Sequence, residues 1–502
     1  AAAALWCRME AGTLRLEEFE KEEEEPKADL NRIREKAGEM KAALEDILAS
    51  GLSRTSSQSA DTLERLAVIS HNEGLASFED AFRSLQNGYE VYFSRSSSVN
   101  AAGLMDESAR LYEQICRLSR VKTDGELRNL GGVFHMDYEP AGDMELIGIT
   151  AEAFQSRNGY QGETVYFLEK NTKKWYTYTS ARPMYYDSRG RRGRMEKAAA
   201  PWGLNVSLEE LAGIEVCLKQ AKAGKTGRLS SSQDTKGMIT GKHSFCPEDA
   251  GKWLYKDFGA LFKEQCFLKN SWLKREEETL RIVCVQAAAW DAARFSQAEQ
   301  KFSMAIFDSN GKELLTEMAY SRREDANIRY LERIADQVEK GEIPIPAIAG
   351  KLYLKDGKMI LHPLEIFQWG QEASKREAFA DEWVSDSPQE RERVLKINAM
   401  EQMYRLLEEV SQQIEDLYQS GFDAVHDSTL GMLRQWAERA GESGLAFLGI
   451  QLGKLCREIE GCRHSLHPVH GAELEIYVNI AEYLWLARRK TEFDLAEAYY
   501  TQ

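Results

Sequence analysis

Internal repetition limits the fold more than any other feature of this chain. Laying Leu44–Leu85 over Ile414–Leu455, at a constant offset of 370 and without a gap, matches ten of 42 positions identically. The matches include Glu45/Glu415, Asp46/Asp416, Gly51/Gly421, Ala67/Ala437 and the step Gly74-Leu75-Ala76/Gly444-Leu445-Ala446. Apolar character persists where identity is lost, as at Leu44/Ile414, Leu52/Phe422 and Phe82/Leu452. In both copies the glycines fall just after runs of helical period, where a left-handed residue ends a helix. The shared pattern reads helix, glycine stop, loop, helix, glycine stop, helix. It describes an α-helical hairpin unit used twice, resembling units of helical solenoids, and an intramolecular pseudo-symmetric pairing of the copies follows as an expectation.

Flanking signals agree. Leu30, Ile33, Ala37, Met40, Leu44, Ile47 and Leu48 recur at three- and four-residue steps, which places them on one helix face ending near Gly51. Ahead of them, seven glutamates between Glu17 and Pro26 read as a solvated linker. Before the second copy, Ser387, Pro388 and Glu390 form a capping box with proline at the first helical position. Val394, Ile397, Met400, Tyr404, Leu407 and Val410 then share one face.

Between these ends the pattern changes toward strands. Glu145–Thr150, Thr164–Leu168 and Trp175–Thr179 have β-branched and aromatic bias. Phe302–Phe307 and Glu313–Tyr320 flank an Asn-Gly turn, and Lys351–Leu354 and Lys358–His362 flank Asp356-Gly357, so both pairs predict hairpins. Ile328–Val338 is an amphipathic helix with Leu331, Ile334 and Val338 inward, and 221–240 reads as a flexible loop. The expected fold class is α+β and predominantly α-helical, with two related helical-hairpin ends flanking a central mixed region with β-hairpins. The boundaries drawn are 1–127, 128–375 and 376–502.

Composition excludes several classes. With 43% hydrophobic and 29% charged residues the chain is neither disordered nor collagenous. Its longest apolar runs fall far short of the roughly 18 residues of a membrane span. Eight irregularly spaced cysteines without a Cys-x-x-Cys pair predict reduced thiols and a cytoplasmic location. Ala1–Cys7 leads at once into Arg8 and a Glu-rich stretch, unlike a secretory signal, and reads as the continuation of a segment upstream.

Three motifs bear on chemistry. Gly224-Lys225-Thr226 ends like a phosphate-binding loop, but Lys219 stands where its first glycine belongs, so nucleotide binding is not expected there. Cys456, Cys462, His464, His467 and His470 fall within 15 residues and carry the soft and imidazole donors that suit zinc, against surface histidines in a turn as the plainer reading. The segment 173–197 holds eight cations, Lys173, Lys174, Arg182, Arg189, Arg191, Arg192, Arg194 and Lys197, against Asp187 and Glu196. Trp175, Tyr176, Tyr178, Tyr185 and Tyr186 interleave with them. Guanidinium groups bind phosphate and aromatic faces stack bases, so this segment is the candidate nucleic-acid patch in a chain of net charge −16. Docking of an acidic partner, or simple solvation, is the plainer reading in so acidic a chain. No GxSxG, HExxH or GxGxxG occurs, and no residue is nominated as a catalytic nucleophile or base.

The order of segments also resembles bacterial SWIM zinc-finger proteins, in the region that follows their zinc motif. The resemblance rests on Ala1-Ala-Ala-Ala-Leu-Trp-Cys7, the charged linker Glu17–Lys27, the helix Leu44–Leu52, the steps Leu63–Ile69, Gly74-Leu75-Ala76 and Ala109–Tyr112, and the strand pair Val165–Leu168 and Lys174–Tyr176. It covers about Ala1–Asp187. The family's Cys-x-Cys and Cys-x-His ligands would lie upstream of Ala1, and none is carried onto a residue of this chain. What the resemblance implies is a zinc-dependent, non-enzymatic adaptor that binds DNA or protein and acts with a MoxR-type AAA+ ATPase and a von Willebrand A-domain protein. The expectation is therefore an interaction scaffold. Nucleic-acid binding through 173–197 is the first alternative, and an enzyme of unrecognised class, marked by a deep central pocket with converging acids or histidines, is the second.

Overall fold

A computed structural model describes residues 29–93, 100–132, 138–155, 160–183, 198–224, 226–242, 245–268, 281–321, 324–369, 388–463 and 471–501. Five helices come first: α1 (Leu30–Ser50), α2 (Ser57–Asn72), α3 (Ala76–Phe93), α4 (Ala101–Leu118) and α5 (Asp124–Gly131). Strands β1 (Glu139–Gln155), β2 (Tyr160–Glu169), β3 (Trp175–Pro183), β4 (Ile214–Ala223) and β5 (Lys236–Lys242) follow. A second group comprises β6 (Leu254–Tyr255), β7 (Arg281–Gln286), β8 (Ala289–Trp290), β9 (Arg294–Ser296), β10 (Lys301–Phe307) and β11 (Glu313–Ala319), then α6 (Asp325–Glu339), β12 (Ala347–Lys355) and β13 (Lys358–Phe367). The chain closes with α7 (Pro388–Ser420), α8 (Asp427–Glu442), α9 (Ala446–Arg463) and α10 (Ala472–Tyr500). The fold is α+β and mostly helical.

The two helical ends share a single hydrophobic core. Their correspondence extends beyond the hairpin seen in the sequence. Helices α2 and α8, and α3 and α9, begin and end at residues 370 apart, and each pair follows a 3-10 turn, Leu52–Arg54 or Phe422–Ala424. Helix α4 packs on α1 and α3 as α10 packs on α7 and α9. The contacts are reciprocal: α1 touches the 3-10 turn of the second half, and α7 touches that of the first. This is the arrangement of a two-fold homodimer, built within one chain. Tyr418 joins the halves, with its hydroxyl 3.1 Å from that of Tyr89 and 3.3 Å from Ser108 Oγ.

The central region forms two barrels. In the first, the strand order is β3-β2-β1-β4-β5 and all neighbours are antiparallel. Segment 227–229 closes it: Thr177 pairs in parallel with Arg228, Ala223 pairs with Leu229, and the Leu229 N–H donates to Thr177 O at 2.7 Å. In the second, β7 runs on into β8, which pairs with β10. From there β10-β11-β13-β12 leads back to β7, with β11 and β13 parallel. A helical element lies between the third and fourth strands of each barrel. It is the turn Glu209–Leu211 in the first and α6 in the second. Five strands, this order and a parallel closing pair define the oligonucleotide/oligosaccharide-binding (OB) topology, here twice in tandem.

Local chemistry explains the turns. Asp356 and Gly357 have φ of 52° and 71°, the pair of positive angles that a two-residue hairpin turn needs. In the other hairpin, Asp308 is fully buried, and its Oδ1 accepts the N–H groups of Asn310 and Lys312 at 2.8 and 2.9 Å. Leu331 and Ile334 of α6 face the barrel core as the sequence pattern predicts. The reading of 221–240 as a loop is corrected: β4 continues to Ala223, and Lys236–Lys242 is a strand. The second strand is ordered by antiparallel pairing with β4, Lys236 opposite Lys219 and Lys242 opposite Ile214. Residues 1–28, which carry the acidic linker and the start of the SWIM-like segment, lie outside the described residues, as does Ser387.

Helix α10 binds the helical body to the second barrel. Leu474, Tyr477, Ile480 and Leu484 belong to the helical core, whereas Phe493, Ala496 and Tyr500 enter the barrel core. The Tyr500 hydroxyl donates to Glu313 O at 2.6 Å and accepts the Met359 N–H at 3.1 Å.

Candidate nucleic-acid interface on the first barrel

The basic segment identified in the sequence begins in the β2–β3 turn and runs along β3. Glu169 holds that turn, accepting the N–H groups of Asn171, at 3.1 Å, and of Thr172. Burial pushes its carboxyl up, but hydrogen bonds from Thr172 and Asn171 outweigh burial and hold it below the usual range. Lys173 sits in this turn at φ 53° and Lys174 is exposed beside it. Arg182 is exposed near the far end of β3, opposite Gln161 of β2. Residues 184–197, with Arg189, Arg191, Arg192 and Arg194, lie outside the described residues.

The alternation of β3 sorts its aromatic residues by face. Tyr176 and Tyr178 pack on the barrel core, with Tyr178 edge-on to Trp202 at 5.2 Å. Trp175 points to the opposite face and meets Trp253 at 6.3 Å, where the two barrels join. The Trp253 indole N–H donates to Lys173 O at 2.5 Å and fixes the turn to the second barrel. These three rings are half-buried and engaged in packing, whereas Arg182 on β3 is exposed.

Further cations, which the sequence reading did not single out, come from the closing segment and β5. Arg228 lies against Thr177 of β3, and Lys236 and Lys242 are exposed on β5. Lys170, Lys219 and Lys222 are paired with Glu215, Asp143 and Asp234. Lys174, Arg182, Arg228, Lys236 and Lys242 form no ion pair with any described carboxylate. Residues 138–242 hold 16 Lys and Arg against 12 Asp and Glu, so this stretch of the sequence is cationic within an acidic chain.

Between the barrels lies a cleft of about 430 Å³, lined from one side by Glu152 and Glu163 and from the other by Glu324, Tyr330, His362 and Glu365. It is a central pocket with converging acids and a histidine. Glu152 is engaged by the Tyr166 hydroxyl at 2.7 Å and by the Lys351 ammonium. Burial pushes His362 down and Glu365 up, toward their neutral forms. No serine, cysteine or lysine is among the described residues that line it. Its acidic lining disfavours a phosphate.

The cysteines of the C-terminal cluster sit on α9. Cys456 is buried in the helical core with Sγ toward Leu430 O at 4.0 Å, and burial pushes its thiol up, away from the thiolate that binds metal. The Cys462 thiol donates to Glu473 Oε1 at 3.5 Å. His464, His467 and His470 lie outside the described residues, and among the described residues no group of three His, Cys, Asp or Glu side chains is placed to hold a metal. Nor is any described helix long and apolar enough to cross a membrane.

No family model and no curated protein matches the chain. Among solved structures, it is similar to p202 HIN1 in complex with 12-mer dsDNA, at 11% identity over 47% of this chain and 94% of the other, with a TM-score of 0.19. It is also similar to a replication protein A heterotrimer bound to ssDNA, at 8% identity over 45% of this chain and 49% of the other, with a TM-score of 0.20. Likeness at this level carries no argument, and the OB topology rests on strand order and pairing alone.

Proposed function

We propose that this protein binds nucleic acid through the cations of β3, the closing segment and β5 on the first barrel. The observation that carries the reading is the set Lys174, Arg182, Arg228, Lys236 and Lys242, unpaired with described carboxylates on an OB-type barrel of a chain with net charge −16. Leaving cations unneutralised beside so many acids favours a polyanion as their counterpart. With Tyr176 and Tyr178 turned inward, recognition falls on the phosphate backbone and carries little base preference. Fluorescence anisotropy with labelled single-stranded and duplex oligonucleotides tests this. Engagement of four or five phosphates gives a log–log salt slope of about −3 on single strands. The double variant Lys174→Glu/Arg182→Glu lowers affinity at least tenfold and flattens the slope. An affinity that does not change with salt, or that the variant leaves intact, would falsify the reading.

A second reading is the protein-docking adaptor that the SWIM resemblance implies, with an AAA+ ATPase and an A-domain protein as partners. It is favoured by the large apolar side chains Phe447, Ile450 and Leu486, which the helical body leaves exposed. Capture of each purified candidate partner by the full chain tests it.

A further inference from the structure

The two halves of the helical body differ in what covers the repeated Gly-Leu-Ala step. In the first half, α4 ends at Leu118 and the chain returns as α5, which lies across α3 and α4. Its last residues rest on the step: a Cβ added to Gly131 would come within 3.0 Å of Leu75 Cδ2, and Gly132 abuts Ser77. Leu127 of α5 completes the core. Leu75 is consequently 1% exposed, and Ala76 is buried.

In the second half α10 takes the place of α4, but instead of ending it continues to Tyr500 and enters the second barrel. Among the described residues no short helix packs on both α9 and α10. Leu445 is only half-buried and Ala446 is exposed, although the step is identical in sequence. Beside it Phe447 and Ile450 on α9 are 46% and 58% exposed, Leu486 on α10 is 41% exposed, and the Phe447 ring spans the two helices to Tyr483 at 5.1 Å. Farther along the same face of α9, Lys454 and Arg457 are exposed and form no ion pair with a described carboxylate. The seat is therefore apolar at one end and cationic at the other. The helix that fills its counterpart, α5, carries Asp124 and Glu126 in its first turn and leucines beyond.

We propose that the groove between α9 and α10, over Gly444-Leu445-Ala446, is a docking seat for a short acidic amphipathic helix of a partner protein, in the place that α5 fills in the first half. Internal symmetry defines the shape of the occupant, and charge complementarity with Lys454 and Arg457 defines its chemistry. The inference rests on the docking reading but not on the identity of the partners. Failure to capture the ATPase or the A-domain protein leaves it standing, whereas failure of the experiment below removes it.

The probe is a stapled, fluorescein-labelled peptide with the sequence of Thr123–Gly132, titrated against the full chain; stapling is needed because so short a helix does not form alone. Saturable binding is expected, at least tenfold weaker in Ile450→Glu and several-fold weaker, with loss of salt dependence, in Lys454→Glu/Arg457→Glu. All three positions are on the surface, and unchanged thermal melting confirms that each variant folds. No saturation at millimolar peptide, or equal binding by Ile450→Glu, overturns the proposal. Self-association of the chain that Ile450→Glu abolishes overturns it too, by making a second copy the occupant.

Discussion

Gly51 and Gly421, 370 residues apart, meet backbone to backbone where the two helical halves join. A Cβ added to Gly51 would lie 2.5 Å from the Cα of Gly421, and one added to Gly421 would lie 2.6 Å from the carbonyl oxygen of Ala49. Both glycines have left-handed φ, 76° and 79°, at the stops that end α1 and α7. The same residue thus serves each half twice, as a helix terminator and as a point of close backbone approach to the other half.

Alanine at either position is expected to cost about 2–4 kcal/mol, combining backbone strain with overpacking against a rigid neighbour. Gly74→Ala is the control: its φ is 74°, but nothing lies within 4 Å of an added Cβ, so about 1 kcal/mol is expected. Because Gly51 and Gly421 share one contact, the double variant should lose less than the sum of the singles, as read by urea unfolding. Equal costs at all three sites would contradict the close approach.

Glu492 on α10 gives the protein a stability that falls as pH rises. It is buried, its Oε1 accepts the Asp356 N–H at 2.6 Å, and burial pushes its carboxyl up to about 7, partly opposed by Arg489. Unfolding returns it to the ordinary carboxylate value near 4.5. The native state thus binds the proton more tightly, and the stability this confers is complete below about pH 4.5 and lost as pH climbs through 7. Glu492→Gln keeps an acceptor and should stabilise by on the order of 2 kcal/mol at pH 8, with no gain at pH 4.5. Chemical unfolding at the two pH values measures this, and a gain that does not depend on pH would refute it.

Tyr500→Phe removes the hydroxyl that links β11 and β13 through Glu313 O and the Met359 N–H. Two backbone groups lose their partner, at a cost of about 1–3 kcal/mol. Hydrogen exchange should quicken in the second barrel and leave α1 to α4 unchanged. Uniform acceleration throughout the chain would show that α10 does not divide the protein as described.

The parts of this fold that could be read from sequence are those written locally. The stops at Gly51, Gly74, Gly421 and Gly444 are visible because a left-handed terminus selects glycine, and the Asp356-Gly357 hairpin is visible for the same reason. The barrels were hidden because their closure is non-local: β7 pairs with β12 across more than sixty residues, and β11 with β13 across a helix. The basic segment was visible as charge, but the inward turn of Tyr176 and Tyr178 depends on β2 register, which the local sequence does not record. Arg228 comes to lie against β3 only once segment 227–229 closes the barrel.

Hydrogen exchange of the full chain with and without a single-stranded oligonucleotide tests the central claim most directly, because it locates the nucleic acid without altering a residue. Protection confined to β3, segment 226–230 and β5 is the expected result. Protection confined to the helical body or to the acidic cleft between the barrels, with the first barrel unchanged, would contradict it.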